Sequence, residues 1–375
     1  MEKIEALIAK LIVKITWFFT FIFPIDDTKV KFISYYSDNL RGDFRLISNK
    51  LKERGTYKQV FILRKINNTL KDKFLYLINF IIQTYHFNTS KIVIIDANNF
   101  VISNCRKKKA TKVVQLWHAC GAIKKFGYDA NRRYKIKNYD YIFVAGKQCI
   151  EPFSRAFKID RSNILPIGVA RTDKLFSEKL MRSYKNRMIK EYPALKNKKV
   201  ILYAPTFRGD GIFNIKYVNI DLLKVVKGLG KDYVILYKLH PLLGNITLGK
   251  NERIINVNNI DIYKAFAVTD ILISDYSAII FDFSILEKPM IFYAPDLEEY
   301  KKERGFYYDY ESFVPGPICY NENEIIHALR NNRFDLNKVR NLKEEFFQFK
   351  DGMSTERIVD HIESIFKKDL FWEKG

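Results

Sequence analysis

Cysteine is scarce in this chain. Its 375 residues hold four, Cys105, Cys120, Cys149 and Cys319, with no Cys-x-x-Cys pair among them. They are too few and too dispersed for a disulfide scaffold or a zinc finger, and they suit a reducing cytoplasm. Glycine-rich phosphate loops are missing too: neither a Walker sequence nor Gly-x-Gly-x-x-Gly occurs. A bound nucleotide must then be held by helix termini and side chains. No internal repeat or low-complexity tract is present. An unbroken apolar run of membrane-spanning length is absent as well, because the stretch from Ile4 to Phe23 is interrupted by Lys10 and Lys14.

Acidic residues are in deficit. Against 42 Asp and Glu stand 64 Lys and Arg, a formal net charge of +22. Such a surplus attracts anions. Nucleic acid is one anionic partner, but zinc-finger spacing, an RNA-binding aromatic signature and a heptad-linked basic region are all missing, so no nucleic-acid partner is expected. An anionic membrane surface and a phosphate-rich substrate suit the same charge. The hydrophobic fraction of 47%, with 15% aromatics, is that of a folded chain, and the length holds about two ordinary domains.

In the opening segment the two patterns meet. On a helix, Lys3, Lys10 and Lys14 form one stripe, while Ile4, Leu7, Ile8, Leu11, Ile12, Ile15, Phe18 and Phe19 cover the other side. That arrangement suits a helix lying on a bilayer rather than crossing it. A buried first helix of the globular body is the competing reading. No small-residue cleavage site follows, so a signal peptide is not expected.

Beyond Pro24, short β-branched or aromatic runs alternate with helical stretches, which predicts parallel sheets with crossover helices. The expected strands are 31–35, 59–63, 91–95, 112–117, 141–145 and 164–166, then 200–203, 233–238, 254–256, 271–274 and 290–292. The charged stretch 179–199 reads as the hinge between two Rossmann-like halves. The expected division is an amphipathic membrane-associating helix (1–24), an N-terminal acceptor domain (25–185) and a C-terminal nucleotide-donor domain (186–375), with the final helix packing back on the N-terminal domain.

In open α/β sheets ligands bind beyond the carboxyl ends of the strands. Those positions carry chemistry here: Trp117 and His118 followed by Lys124 and Lys125; Thr206 and Arg208 after Tyr203-Ala204-Pro205; Lys238 and His240; and Asp275 and Ser277 at the start of an apolar helix. A helix start offers unpaired N–H groups to phosphate, and Lys238, Arg208 and Arg304 add charge. Ser277 alone reads as an ordinary N-cap, but its company at the strand ends favours a phosphate role. His118 and His240 occupy the same topological place in each half, which suits one proton acceptor and one phosphate ligand for attack of a hydroxyl on phosphorus. For a Cys120/His118 nucleophilic pair no orienting Asn or Asp is evident in the sequence.

The segments QLWHACGAIKKFG (115–127), ILYAPTFRGD (201–210), YKLHP (237–241), DILISDYSAIIFDFSILEKPMIFYAPDLEEY (270–300), RGFYYDY with PGPI (304–318) and DGMSTERIVDHI (351–362) resemble those of the CDP-glycerol glycerophosphotransferase family, the teichoic acid primases and polymerases. They occur in the family's order and span most of the chain after Phe32. The resemblance implies a GT-B-like α/β fold, two Rossmann-like domains facing a central cleft. It implies transfer of glycerol phosphate from CDP-glycerol to a hydroxyl of a lipid-linked or polymeric anionic acceptor, with release of CMP, at the cytoplasmic face of the cell membrane. It places the base on His118, the donor phosphates on His240, Ser277 and Arg304, and neither a catalytic metal nor a cofactor beside the donor. Thr206, Arg208, Lys238 and Asp275 then fall on the donor side, and Trp117, Lys124 and Lys125 on the acceptor side. Where many members read Trp-His-Gly followed by Pro-Leu-Lys, this chain has WHACGAIKK, so CDP-ribitol stays open beside CDP-glycerol, as do primase and polymerase roles and oligomerisation. A GT-B nucleotide-sugar glycosyltransferase and a non-catalytic binder of anionic polymer are the rival readings. The acceptor-side motif argues against the first and the two strand-end histidines against the second.

Overall fold

Runs such as SKIVII (90–95) and KVILY (199–203) hold too many β-branched residues for a surface helix and too few polar ones for an exposed strand. Buried on both faces, they become the inner strands of parallel sheets. A computed structural model describes residues 3–65, 70–130, 135–209, 216–239, 243 and 246–372. It divides into two compact units, one of Met1–His118, Phe126–Asp173 and Gln348–Gly375, the other of Ala119–Lys125 and Lys174–Phe347.

In the first unit the chain runs α1 (Lys3–Thr20), β1 (Asp26–Ser34), α2 (Gly42–Arg54), β2 (Lys58–Leu63), α3 (Leu70–Thr89), β3 (Ser90–Ile95), α4 (Phe100–Asn104), β4 (Lys112–Gln115), β5 (Tyr141–Phe143), α5 (Ile150–Phe157) and β6 (Ile164–Leu165). The second unit carries α6 (Glu178–Glu191), β7 (Lys199–Tyr203), α7 (Leu222–Gly228), β8 (Tyr233–Tyr237), β9 (Ile254–Asn256), α8 (Ile262–Val268), β10 (Ile271–Ser274), α9 (Ile279–Ser284), β11 (Met290–Tyr293), α10 (Leu297–Glu303), α11 (Tyr310–Phe313), β12 (Ile318–Cys319), α12 (Glu322–Asn331) and α13 (Leu336–Phe346). The last helix, α14 (Ser354–Trp372), returns to the first unit.

Each unit is built on a six-stranded parallel sheet, in the order β2-β1-β3-β4-β5-β6 and β12-β11-β10-β7-β8-β9. Alternation along β1 sends Val30 and Phe32 to one face, among Phe44, Ile47 and Leu51 of α2 and Ile358 and Ile362 of α14. Ile33 goes to the other face, among Ala9 and Val13 of α1 and Phe80 and Phe87 of α3. Burial of the α14 isoleucines stabilises the unit by roughly 1.5–3 kcal/mol each. The Asp173 carboxylate anchors that helix by accepting the Ser354 and Thr355 N–H groups, both at 2.8 Å, where the helix end leaves donors unpaired. At its far side Arg54 pairs with Glu356 and Asp360.

Several details differ from the expectation. Strand β4 ends at Gln115 rather than Trp117, because Trp117 takes a left-handed backbone, φ 57°. A short twelfth strand, Ile318–Cys319, pairs beside β11; two residues carry no periodicity to read. The units divide at Asp173/Lys174 rather than near 185. The charged stretch taken as a hinge is largely α6, which packs on α8 inside the second unit.

Candidate active site

In the first unit, the groups at the carboxyl ends of β1, β3 and β4 converge because those strands are neighbours. Tyr36 follows β1, Asp96 follows β3 and His118 follows β4. The His118 ring is exposed, with its Nδ1 3.2 Å from the Asp96 main-chain oxygen. A carbonyl only accepts, so Nδ1 carries the proton and the lone pair of the neutral imidazole lies on Nε2. The Tyr36 ring meets the imidazole edge-on at 5.1 Å. Trp117, expected on the acceptor side, is instead buried. Its indole stacks on Phe126 at 5.0 Å and meets Phe157 edge-on at 5.2 Å. It anchors the turn that presents His118. The Asp96 carboxyl accepts from the Ser34 hydroxyl at 2.6 Å, and burial, opposed by that bond, pushes its pKa up to about 7.

In the second unit, three neighbouring strands, β11, β10 and β7, deliver Asp296, Asp275 and Thr206 with Arg208. The Arg208 guanidinium donates from Nη1 to Asp275 at 2.8 Å and from Nε to Asp296 at 2.5 Å. It also lies over the rings of Tyr276 and Tyr300 at 4.6 and 4.9 Å. Those rings stack on each other at 4.1 Å, and the Tyr276 hydroxyl donates to Asp296 at 3.0 Å. Burial pushes the Asp275 carboxyl up against the opposing pull of Arg208. At the half-buried Asp296, burial is outweighed by the Arg208 hydrogen bond and charge, and the carboxyl lies below its usual range. Arg208 and Asp275 thus hold each other and the loops around them. The phosphate contact expected of Arg208 competes with two carboxylates already in place.

Lys238 is also engaged. Its ammonium donates to the carbonyls of Asn258 and Ile260, both at 2.7 Å, and approaches that of Val257 at 3.5 Å. It braces the loop between β9 and α8. His240 lies outside the described residues. Ser277 stands before a helix of only six residues, and its hydroxyl accepts weakly from the Ile279 N–H at 3.4 Å. Arg304 is exposed at the end of α10.

The segment after His118 supplies the most informative placement. Ala119–Lys125 belongs to the second unit, where it pairs antiparallel with residues 305–307. The Lys125 N–H donates to the Gly305 carbonyl at 3.0 Å and the Tyr307 N–H to the Ile123 carbonyl at 2.8 Å. Lys124, expected on the acceptor side, therefore stands among the groups expected on the donor side, with Nζ 3.5 Å from the Thr206 hydroxyl. Burial, with Arg304 and Arg208 nearby and Asp275 opposing, pulls its pKa down to about 8. Thr206 in turn donates its N–H to Asp275 at 2.8 Å.

Sequence reasoning missed Asp296, Tyr276, Tyr300, Gln115 and Asp96. Asp296 had a signal: Tyr293-Ala294-Pro295-Asp296 ends its strand as Tyr203-Ala204-Pro205-Thr206 ends β7.

Two parallel Rossmann-like sheets with strand-end polar groups define a GT-B-like α/β fold, and the wall teichoic acid polymerase TagF shares it at a TM-score of 0.74 and 25% identity, over 92% of this chain and 90% of that one. Residues 15–364 match the family described as CDP-Glycerol:Poly(glycerophosphate) glycerophosphotransferase, and the chain belongs to that family of teichoic acid phosphotransferases. It is 36% identical to the teichoic acid ribitol-phosphate primase of Bacillus spizizenii over 92% of both chains. It is 32% identical to the teichoic acid glycerol-phosphate primase of Bacillus subtilis over 77% of both.

Proposed function

We propose that the chain transfers a polyol phosphate from a CDP-activated polyol to a hydroxyl of a lipid-linked or polymeric acceptor, with His118 as the base. The observation that carries this is the imidazole at the end of β4, its Nδ1 on the Asp96 carbonyl. Nε2 takes the proton of the acceptor hydroxyl, whose oxygen forms a bond to the distal phosphorus of the donor as the bond to the CMP phosphate breaks. The departing negative charge falls to the donor-side cations Lys124 and Arg304, to the Thr206 hydroxyl and to the groups around Ser277.

Glycerol phosphate is the donor group that the family description supports. Ribitol phosphate is the second reading, favoured by the near full-length match to a ribitol-phosphate primase. That match also supports a primase role. The test is CMP release from CDP-glycerol and from CDP-ribitol, each with a lipid-linked acceptor analogue. One donor is expected to give acceptor-dependent CMP, and His118→Ala to lower its rate by about 10²–10⁴-fold. Wild-type rates in the alanine variant overturn the assignment of the base.

The same reading places the enzyme on the cytoplasmic face of the membrane. Helix α1 rests on the first unit through Ala9 and Val13, both fully buried, and leaves Leu7, Leu11, Phe18 and Phe19 57–68% exposed. Helix α3 adds exposed Ile78, Ile81 and Ile82. Among the described residues no helix is long and apolar enough to cross a membrane. An apolar face flanked by Lys10 and Lys14 suits an anionic interface. Replacing Leu11, Phe18 and Phe19 together by Ser is expected to lower partitioning onto vesicles containing anionic lipid at least tenfold with Tm unchanged. Undiminished partitioning refutes the placement.

A further inference from the structure

The turn that carries His118 is unusual. The ladder between β3 and β4 closes with the Leu116 N–H donating to the Ile95 carbonyl at 2.8 Å. The next residue, Trp117, adopts the left-handed region at φ 57°, which a bulky side chain occupies only when its surroundings enforce it. The indole, buried against Phe126 and Phe157, supplies part of that enforcement. The Trp117 N–H, turned out of the ladder, still needs an acceptor, because a buried unpaired N–H is costly.

Gln115 provides it. Its side chain is completely buried. Its Oε1 accepts the Trp117 N–H at 2.8 Å, and its Nε2 donates to the Ala97 carbonyl at 3.1 Å. One amide thus joins the turn of His118 to the turn of residues 96–97. The second turn matters because its Asp96 carbonyl receives the His118 Nδ1 proton. The Ser34 hydroxyl, donating to the Asp96 carboxylate at 2.6 Å, ties the same turn to β1.

We propose that Gln115 is a positioning residue for the transfer reaction: its amide holds the carbonyl of Asp96 and the imidazole of His118 in register, so that Nε2 is the nitrogen presented to the acceptor hydroxyl. This rests on His118 being the base. Both hydrogen bonds are needed. The Oε1 contact keeps Trp117 in its left-handed turn, and the Nε2 contact keeps the 96–97 turn where its carbonyl can fix the tautomer and later support the imidazolium. A neutral amide is the side chain that can accept from an N–H and donate to a C=O at once without burying charge.

The test replaces Gln115 with Met, which keeps the length and loses both bonds, and runs His118→Ala beside it in the CMP-release assay with the better donor. For the Met variant the expected result is a kcat lower on the order of 10–100-fold, as for a misplaced catalytic group, with the donor KM changed less than twofold. The His118 ring titration, followed by NMR and assigned by its loss in His118→Ala, is expected to shift. A kcat within twofold of wild type and an unmoved titration overturn the proposal. If His118→Ala keeps wild-type activity, the base assignment itself fails, and Gln115 is then judged on the NMR titration alone. Gln115→Glu, which keeps an acceptor for Trp117 and loses the donor to Ala97 only when ionised, is the second variant should the first not fold, and its kcat relative to wild type must fall as pH rises through the ionisation of that carboxyl. In the wild type, ¹⁵N shifts must report the Nδ1–H tautomer of His118; an Nε2–H tautomer refutes the proposal without any substitution.

Discussion

Replacement of Arg208 by Met removes the guanidinium and keeps most of the stem. In the structure that guanidinium is 11% exposed and faces Asp275, whose side chain is 1% exposed. The loss strands a buried carboxylate, which costs about 3–5 kcal/mol, and the contacts to Tyr276 and Tyr300 add about 1 kcal/mol. For a unit of this size each kcal/mol corresponds to roughly 2–4 °C, so the unfolding transition of the second unit should fall by roughly 8–24 °C. Calorimetry measures this directly. The deficit has a definite pH dependence. Asp275 is already raised above its ordinary value by burial, and without Arg208 it rises further. The folded variant then holds a proton that the unfolded chain has released, so the deficit is smallest near pH 4 and grows as pH rises through the folded pKa. Asp275→Asn, added to Arg208→Met, should recover part of the loss, because it removes the stranded charge. A shift under about 2 °C, or a double variant no more stable than the sum of the singles, refutes the view that the pair is a structural brace.

Two further outcomes concern buried charge in the first unit. The Asp96 carboxyl, pushed up to about 7 chiefly by burial, has an Oδ1 with no hydrogen-bond partner among the described residues; its stabilising contribution is complete below the unfolded pKa near 4 and is lost as pH rises to 7. Asp96→Asn should therefore gain about 1–3 kcal/mol on wild type between pH 4.5 and pH 8 in urea melts, and parallel pH–stability curves disprove it. Lys31 is completely buried on β1, its Nζ has no partner among the described residues, and burial, with Lys29 adding repulsion, drives its pKa far down. The unfolded chain binds that proton more readily, so Lys31→Met should stabilise by about 1–3 kcal/mol at pH 7, with the advantage narrowing toward pH 10; a variant no more stable than wild type at pH 7 refutes this.

Much of the architecture was legible in the residues because burial on both faces leaves a strand little choice of composition. Ile92 to Ile95 and Val200 to Tyr203 belong inside a parallel sheet by their side chains alone, and the placing of His118, Thr206 and Asp275 just beyond strand ends follows from where those runs stop. Local pattern also gave the stripe of lysines on α1. It did not tell which apolar residues of that helix face the protein, since Ala9 and Val13 differ from Leu11 only in what packs opposite them.

What each strand-end group does was decided by the tertiary structure. Arg208 meets Asp275 and Asp296 across separations of 67 and 88 residues, because the sheet sets β7 beside β10, although two strands lie between them in the chain, and β11 on the far side of β10. Lys238 looks like a phosphate ligand in sequence, yet three carbonyls around the β9–α8 loop surround its ammonium. Lys124 stands beside Thr206, one of the groups expected on the donor side, because residues 123–125 pair with residues 305–307. Gln115 opens the segment QLWHACGAIKKFG, but nothing local to it assigns a role, and its value lies in two hydrogen bonds to separate turns. Composition and periodicity determine which segments are buried and where chemistry-bearing residues are exposed at strand ends, since both are local properties of the chain. The partners that set charge, tautomer and orientation come from strands brought side by side by the sheet order, and no local pattern encodes that order.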